Sequence, residues 1–414
     1  MKAFTMVNEF LKIIEVPEVE KILENLFNNL FSAEKSEYVE LEGTHHRVIS
    51  EDIYATLDLP PFDRASKDGY AVHAPDTFGA SEENPVILNL LEVIEAGQKP
   101  QKEIKPGSCS VINTGAPLPQ GASGVVMVEY TEIKDNKVYI YRPATHGQFI
   151  TKQGTDINEG ELLLSKGTFI SSDKMGVISA MGLKKILVKS KIKVAIISTG
   201  KELVNSGQDL EYGQIFDVNS YSLQSAVLSC GAEPLWLGVV PDNYDGLSGA
   251  IKNALNNCDI ILTSGSTSAG TGDVLKQVIE DMGEVLVHGI SVKPGKPTII
   301  GKIDEKIVIG LPGYPVAALM IFQIFLASRI RKLGGLQSDD SIKTVNYSLE
   351  GRFYSSRGRL HYALVKIIDG KAHPILKDSG AITALAEAHG YIKIPKNVEI
   401  LNEGSEVEVV LFDR

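Results

Sequence analysis

Hydrophobic residues recur at helical spacing near the start of the chain. Residues 17–30 open on a proline and several acids, and then carry apolar side chains three or four positions apart. Those positions are Val19, Ile22, Leu23, Leu26 and Leu30. The spacing predicts an amphipathic helix, because side chains three and four residues apart share one helix face.

The pattern changes between residues 50 and 190, where short apolar runs alternate with turns rich in proline and glycine. Such runs occupy residues 86–91, 125–128 and 137–141. Short runs bounded by turn residues are typical of strands, so this region is predicted to be rich in β-structure with few long helices.

From residue 191 onwards, strand and helix patterns alternate. Strands are predicted at residues 192–197, 235–240, 260–262 and 306–309, and helices at 220–229, 244–256, 273–282 and 315–332. Alternation of this kind builds a largely parallel sheet with helices on both faces. Strand patterns return after residue 335, at 362–368 and 407–411.

These patterns predict a multidomain α/β plus β protein. We expect a three-layer αβα domain at residues 191–337 and a small β domain at 338–414. A chain of 414 residues exceeds what one hydrophobic core usually organises, which supports the division.

The charge of the chain narrows its partners. The formal net charge is −11 at pH 7. Phosphate backbones are held by basic surfaces, so binding to nucleic acid is not expected. An anionic substrate would need a locally positive site made of backbone N–H groups, lysines or a metal.

The cysteines and the most apolar run predict a cytoplasmic protein with no membrane association. Cys109, Cys230 and Cys258 are widely spaced and odd in number, so we expect them to be buried and free, as suits a reducing compartment. No export signal is visible at the start of the chain. The run at residues 315–330 is too short to span a bilayer and contains Gln323.

The loop at residues 263–273 carries the strongest chemical signal. It follows a predicted strand, contains Gly265, Gly270 and Gly272, and leads into a helix that begins near Asp273. Its hydroxyl residues are Thr263, Ser264, Ser266, Thr267, Ser268 and Thr271. Glycines let backbone N–H groups surround an anion, and a helix N-terminus adds partial positive charge. The loop is either an anion cradle or only a flexible turn.

Three further loops are expected beside it. Residues 198–203 (Ser-Thr-Gly-Lys-Glu-Leu), 293–297 (Lys-Pro-Gly-Lys-Pro) and 310–315 (Gly-Leu-Pro-Gly-Tyr-Pro) lie close to predicted strands of the same domain. Ligands of open α/β sheets bind beyond the carboxyl ends of the strands, so the four loops are predicted to line one crevice.

A family resemblance becomes specific at residues 60–72, Pro-Pro-Phe-Asp-Arg-Ala-Ser-Lys-Asp-Gly-Tyr-Ala-Val. This stretch resembles the signature of molybdopterin molybdenumtransferases, the MoeA-type family that includes the gephyrin E domain. The other landmarks of the family follow in order at residues 113–119, 154–156, 198–203, 263–273, 293–297 and 310–315. The resemblance therefore covers essentially the whole chain.

The resemblance implies four domains and a homodimer. The first two would be an elongated linker domain at residues 14–52 and 154–190 and a β-rich inserted domain at 53–153. It also implies an activity: members take adenylylated molybdopterin from the adenylyltransferase that makes it, release AMP with Mg²⁺, and insert molybdate.

The resemblance also assigns the residues of the site. The functional acids carry over to Asp68, Asp156, Glu202, Asp242 and Asp273, of which Glu202 and Asp273 are assigned to the metal. Asp68 and Asp156 would reach the site from the partner subunit. The binding residues are Thr199, Gly200, Ser264, Gly265, Ser266, Ser268, Gly270, Lys293, Gly295, Lys296, Pro312, Gly313, Arg359 and Ser379.

Departures from the family pattern leave alternatives open. Ser266 stands where the family usually has glycine, and Thr-Lys-Gln at residues 151–153 replaces an arginine cluster. These changes are compatible with tungstate in place of molybdate. A pterin-binding scaffold without turnover is a second alternative, although a scaffold needs none of the five acids. His288 and Trp236 are expected to be structural.

Overall fold

The computed structural model describes residues 12–31, 35–265, 272–336 and 343–412, apart from the side chains of residues 31, 272 and 273. The chain forms two compact units. The first takes in the described parts of Met1–Ser50, Phe169–Ser172 and Lys185–Arg414, and the second comprises Glu51–Thr168 and Asp173–Lys184.

The helices of the described residues are α1 (Val16–Phe31), α2 (Ser172–Ala180), α3 (Val218–Ser229), α4 (Tyr244–Asn257), α5 (Gly272–Met282), α6 (Pro315–Ile321), α7 (Ser328–Leu333) and α8 (Ile382–Glu387). The predicted helices agree with these bounds to within two residues, whereas α2 and α8 were not predicted. A π-helical segment, Phe322–Ala327, joins α6 to α7 and makes one long helix of the three, as the sequence predicts. Short 3₁₀ turns occupy Leu41–Gly43, Ala74–Thr77 and Val128–Tyr130.

The strands fall into three groups along the chain. The first twelve are β1 (Ser36–Glu40), β2 (Ile53–Tyr54), β3 (Arg64–Ala65), β4 (Gly69–Val72), β5 (Val86–Ile94), β6 (Ser108–Ile112), β7 (Gly124–Met127), β8 (Thr131–Lys134), β9 (Lys137–Ile140), β10 (Ile150–Thr151), β11 (Leu162–Leu164) and β12 (Lys185–Lys189). The next nine are β13 (Lys193–Thr199), β14 (Leu203–Val204), β15 (Ile215–Phe216), β16 (Glu233–Val240), β17 (Ile260–Ser264), β18 (Glu284–His288), β19 (Val292–Lys293), β20 (Ile299–Ile303) and β21 (Lys306–Leu311). The last are β22 (Thr344–Leu349), β23 (Phe353–Tyr354), β24 (Leu360–Ile368), β25 (Lys371–Pro374), β26 (Gly390–Ile394), β27 (Ile400–Leu401) and β28 (Glu406–Leu411).

The sheet at the centre of the first unit has the order β16-β13-β17-β21-β20-β18. The first four strands are parallel, whereas β20 and β18 are antiparallel to their neighbours. The sheet is therefore less parallel than the simple alternation suggested. Ile303 pairs with Lys306 across a two-residue turn, and a turn that short can connect only antiparallel strands.

Helices cover both faces of this sheet, which confirms the predicted three-layer domain. Leu262 packs with the core on the α3 and α6 side, while its neighbour Ile261 packs with the core on the α4 and α5 side. Burial on both faces explains why the central strands read as continuous apolar runs. The predicted amphipathic helix α1 buries Leu23 and Phe27 in the first of these cores.

The terminal domain is a β-sheet that closes on itself. Strands β24, β25, β22, β28 and β26 are paired in that order, and β26 pairs back onto β24. A sixth strand, β19, joins β24 in parallel, so residues Val292 and Lys293 of the α/β domain extend the terminal sheet. The loop at residues 293–297 is thereby anchored to the terminal domain.

The second unit is β-rich, as the sequence predicts. Its main sheet has the order β7-β4-β6-β5-β9-β8 and encloses a core that contains Cys109. Burial raises the pKa of the Cys109 thiol to about 12. All three cysteines are buried and none of them forms a disulfide bond, as expected. Across the described ranges, no helix is long and apolar enough to cross a membrane.

Candidate functional site

A cavity of about 770 Å³ lies at the carboxyl ends of β13, β17 and β21. All four predicted loops contribute to it, the loop at residues 293–297 through Pro297, together with the start of α3. Its lining includes Thr199, Glu202, Asp217, Asn219, Ser264, Gly265, Pro297, Pro312, Gly313 and Tyr314. This is the edge of the sheet where α/β proteins bind ligands.

The turn after β17 brings its backbone into contact with β13. Gly265 has a φ of +108°, and a Cβ atom there would lie 2.1 Å from the carbonyl oxygen of Thr199. Only glycine fits such an approach without displacing the neighbouring strand. Thr199 and Ser264 are buried beside it, with 1% and 2% of their surface exposed. The cavity floor is therefore made of backbone and small hydroxyl side chains.

Asn219 is a cavity residue that the sequence did not reveal. Its side-chain amide donates to Ser264 Oγ at 2.6 Å and to the Gly313 carbonyl oxygen at 2.7 Å. It thus joins the ends of two neighbouring strands. The helical pattern placed the start of α3 at Ser220, but α3 begins at Val218 with Asp217 as its N-cap. An aspartate two residues before an asparagine after a strand was the available signal.

Two of the predicted acids lie near this cavity. Glu202 is exposed and lines it, and its carboxylate lies over Gly200, where a Cβ atom would come within 2.8 Å of Oε1. Asp242 is half-buried, and its Oδ1 has no hydrogen-bond partner. Burial raises the pKa of Asp242, the negative charge of Glu202 raises it further, and Lys201 opposes both effects.

This pair of carboxylates fits a hard divalent cation. The repulsion between Glu202 and Asp242 would be relieved by a positive charge, and the unpaired Asp242 oxygen is a possible donor. No group of three His, Cys, Asp or Glu side chains converges among the residues that the structure describes. Mg²⁺ commonly binds through one or two carboxylates plus a substrate phosphate, so two acids suffice for a site completed by the substrate.

Four predicted site residues cannot be placed by their side chains. Ser266, Ser268 and Gly270 lie outside the described residues. Asp273 lies in the first turn of α5, but its side chain is not among those that the structure describes.

A second cavity of about 500 Å³ is lined by cationic residues. Lys293, Gly295 and Lys296 come from the predicted loop at residues 293–297, and Arg359 and Ser379 come from the terminal domain. The two cavities share Pro297, Pro312 and Tyr314 as lining residues. The residues that the sequence predicted for one crevice are therefore divided between two adjoining cavities.

The cations of the second cavity outnumber the acids that line it, because Asp378 is the one carboxylate among the described lining residues. Within the described ranges, no carboxylate forms a salt bridge with Lys293, Lys296 or Arg359. His361 lines the same cavity and is 7% exposed. Burial, together with the charges of Lys293 and Arg359, lowers its pKa to about 4. The cavity is thus positive at neutral pH although the whole chain is acidic.

The second unit holds the other two predicted acids, Asp68 and Asp156. Asp68 Oδ1 accepts hydrogen bonds from the backbone N–H of Thr114 at 2.7 Å and from its hydroxyl at 2.9 Å. The backbone hydrogen bond is the main reason why the pKa of Asp68 is lowered. Asp156 is exposed.

Lys152, in the stretch that replaces the family's arginine cluster, is already paired. Its Nζ donates to Asp63 Oδ2 at 2.6 Å. The charge of this lysine is therefore already partly offset.

His288 and Trp236 fit the structural roles expected of them. Trp236 belongs to the core around α3, with its ring 6.4 Å from that of Tyr221. His288 ends β18 and lies outside both cavities.

Comparison with known families divides the chain into three matched regions. Residues 14–182 match the MoeA N-terminal region (domain I and II), residues 195–332 match a probable molybdopterin binding domain, and residues 347–412 match the MoeA C-terminal region (domain IV). The second match contains the αβα sheet, apart from the first two residues of β13, and the four loops that line the first cavity.

Individual proteins resemble the chain over nearly its full length. A molybdopterin molybdenumtransferase of Nostoc is 32% identical over 95% of this chain and 93% of its own. One from Bacillus subtilis is 33% identical over 91% of this chain and 90% of its own. A solved MoeA protein structure from Pyrococcus horikoshii has 39% identity and a TM-score of 0.80, covering 97% of this chain and 100% of that one.

Proposed function

Because the chain belongs to the MoeA family of molybdopterin molybdenumtransferases, and is therefore a transferase of molybdenum cofactor biosynthesis, we propose that it inserts molybdate into adenylylated molybdopterin and releases AMP. One observation carries the proposal. A cavity floored by backbone and hydroxyl groups adjoins a cavity whose cations outnumber its acids, and both share Pro297, Pro312 and Tyr314. A bulky nucleotide and a small oxyanion need neighbouring sites of these two kinds.

The first cavity is proposed to bind the pterin and its phosphates. Thr199 and Ser264 place hydroxyl groups at its floor, and Gly265 allows the backbone to approach a ligand closely. Asn219 fixes Ser264 and the Gly313 carbonyl, so the floor does not have to reorganise on binding. A volume of about 770 Å³ is in the range of small-molecule sites.

Glu202, Asp242 and Asp273 are proposed to handle the phosphate, with Glu202 and Asp273 holding Mg²⁺. Mg²⁺ when bound would neutralise charge on the phosphoryl oxygens that AMP carries away. Among the residues that the structure describes, Asp242 is the best candidate for holding a proton near the reacting phosphate, because its pKa is raised. Water attack on the phosphoanhydride would need such a group within hydrogen-bond reach.

The second cavity is proposed to bind the oxyanion. Lys293, Lys296 and Arg359 form no salt bridge with a described carboxylate and outnumber Asp378, the acid in the same lining, which favours a doubly charged tetrahedral anion. These contacts do not distinguish molybdate from tungstate, so tungstate is the alternative substrate that the same cavity would accept.

Further parts of the proposal concern assembly. We propose a cytoplasmic homodimer in which Asp68 and Asp156 act at the partner's site, and a molybdopterin adenylyltransferase as donor of the substrate. The division into four domains, with the boundaries given above, belongs to the same proposal.

The proposal is tested by replacing single acids and following oxyanion-dependent AMP release from adenylylated molybdopterin. Glu202→Ala and Asp273→Ala are expected to lower the rate by about a hundredfold or more, because they remove the metal-binding groups. Glu211→Ala, an exposed acid outside both cavities, is the matched control and should retain the rate.

Full activity in both the Glu202 and Asp273 variants would show that the site is assigned to the wrong residues. Adenylylated pterin bound without any turnover by the unaltered protein would instead favour the scaffold alternative.

A further inference from the structure

We propose that Ser356 is a positioning residue that holds the Lys293 ammonium in the cationic cavity and thereby sets its affinity for the oxyanion. The inference rests on the proposed function, since it takes that cavity as the oxyanion site. Ser356 belongs to the terminal domain and lies in none of the family landmarks from which the site was predicted.

One hydrogen bond between side chains joins the α/β domain to the terminal domain at this point. Lys293 Nζ donates to Ser356 Oγ at 2.9 Å. Lys293 ends β19, which pairs in parallel with β24, so that Lys293 lies opposite His361 in the register. Ser356 is located in the turn that leads from β23 into the same strand β24. The lysine and the serine therefore approach from adjacent elements of one sheet.

Backbone hydrogen bonds to neighbouring segments hold the turn that carries Ser356 in place. Ser355 N–H donates to the Glu399 carbonyl at 2.8 Å, Gly358 N–H to the Lys396 carbonyl at 2.9 Å, and Leu360 N–H to the Ser291 carbonyl at 3.2 Å. With hydrogen bonds on both sides of residue 356, the serine hydroxyl is a fixed acceptor rather than a mobile surface group.

A hydroxyl acceptor suits an anion site better than a carboxylate would. A lysine side chain is flexible along its four-carbon stem, and the entropy lost when a ligand orders it lowers the affinity for that ligand. Ser356 orders the ammonium in advance but leaves its positive charge intact. An acid at the same place would order the lysine equally well and would also repel the oxyanion.

The neighbouring serine makes a different contact and supplies a control. Ser355 Oγ is 3.0 Å from His361 Nδ1, on the side of the turn where the His361 ring lies tilted against that of Phe353, with the ring centroids 5.5 Å apart. Ser355 therefore shares the turn, the residue type and the partial burial of Ser356, but it does not touch Lys293.

The test measures molybdate binding to the full chain by equilibrium dialysis at fixed ionic strength. Ser356→Ala is expected to weaken binding about tenfold, a typical cost for losing a hydrogen bond to a charged group. Ser356→Thr should restore it because threonine keeps the hydroxyl, and Ser355→Ala should stay within about twofold of the unaltered chain. In a Lys293→Ala background, Ser356→Ala should cause no further loss, because its only role is to place that lysine.

Two results would overturn the inference while leaving the oxyanion site in place. One is unaltered affinity in Ser356→Ala when Arg359→Ala does weaken binding. The other is an equal loss from Ser356→Ala with and without Lys293. If the unaltered chain binds neither molybdate nor tungstate, the oxyanion site itself is wrong and the inference falls with it.

Discussion

Individual residues of the first cavity are constrained more tightly by backbone geometry than by side-chain chemistry. The loop after β17 was recognisable from its glycines, but the sequence did not indicate which glycine was indispensable. The structure identifies Gly265, whose φ of +108° and contact with Thr199 leave no room for a side chain. The contact joins residues 66 positions apart, so no local pattern could have predicted it.

The replacement Gly265→Ala is therefore expected to destabilise the α/β domain by about 2 kcal/mol or more, through backbone strain and contact with Thr199. Gly213→Ala is the matched control, because Gly213 also has a positive φ of +94° but open space around it. It should cost about 1 kcal/mol. The single tryptophan, Trp236 in β16, allows urea unfolding of this domain to be followed by fluorescence. Equal losses in the two variants would show that the contact with Thr199 is unimportant.

A second residue-scale prediction concerns His361. Its pKa is about 4 in the folded chain against an ordinary value of 6.5, mainly because of burial. The folded state therefore binds the proton less well than the unfolded state. The resulting stability is fully present above pH 6.5 and is lost as the pH falls towards 4.

The chain is accordingly expected to lose up to about 2 kcal/mol more stability over this pH range than His361→Phe, which cannot take up the proton. Urea unfolding followed by circular dichroism at several pH values measures the difference. Parallel pH profiles for the two proteins would mean that His361 is protonated as readily in the folded state as in the unfolded one.

At the scale of elements, periodicity predicted the helices and the parallel strands of the αβα domain well, but it placed the start of α3 two residues too late. Helix α3 shows why. Its apolar spacing begins at Leu223, whereas its first turn is set by the Asp217 cap and by the buried Asn219. Polar residues at a helix start carry no periodic signal, and here they are also the cavity residues. The antiparallel strands β18 and β20 were missed for a related reason, since strand direction depends on turns rather than on apolar runs.

Replacing the cap tests this element. Asp217 is 2% exposed and accepts from Ser220 N–H at 3.1 Å. Asp217→Ala should destabilise the α/β domain by about 1–2 kcal/mol, as loss of an N-cap usually does. Asp217→Asn keeps an acceptor and removes a buried charge, so it should be close to neutral. Trp236 fluorescence in urea again provides the measurement, and a larger loss in the Asn variant than in the Ala variant would contradict the capping role.

At the scale of the whole molecule, the sequence indicated the family, whereas the structure was needed to separate the two cavities. The ordered motifs indicated the family and the general position of the site, and the matches along the chain confirm that family. The division of the crevice into two cavities could not be predicted, because Lys293 and Arg359 meet only when β19 joins the terminal sheet. A net charge of −11 likewise concealed a locally positive cavity.

The most direct test of the account is the stoichiometry of a single turnover. Purified chain is mixed with adenylylated molybdopterin and Mg²⁺, with or without molybdate or tungstate, and both AMP and pterin-bound metal are quantified. The account predicts one oxyanion inserted for each AMP released, and almost no AMP without an oxyanion. AMP released at the same rate without oxyanion, or metal inserted while the adenylylated pterin stays intact, would contradict it.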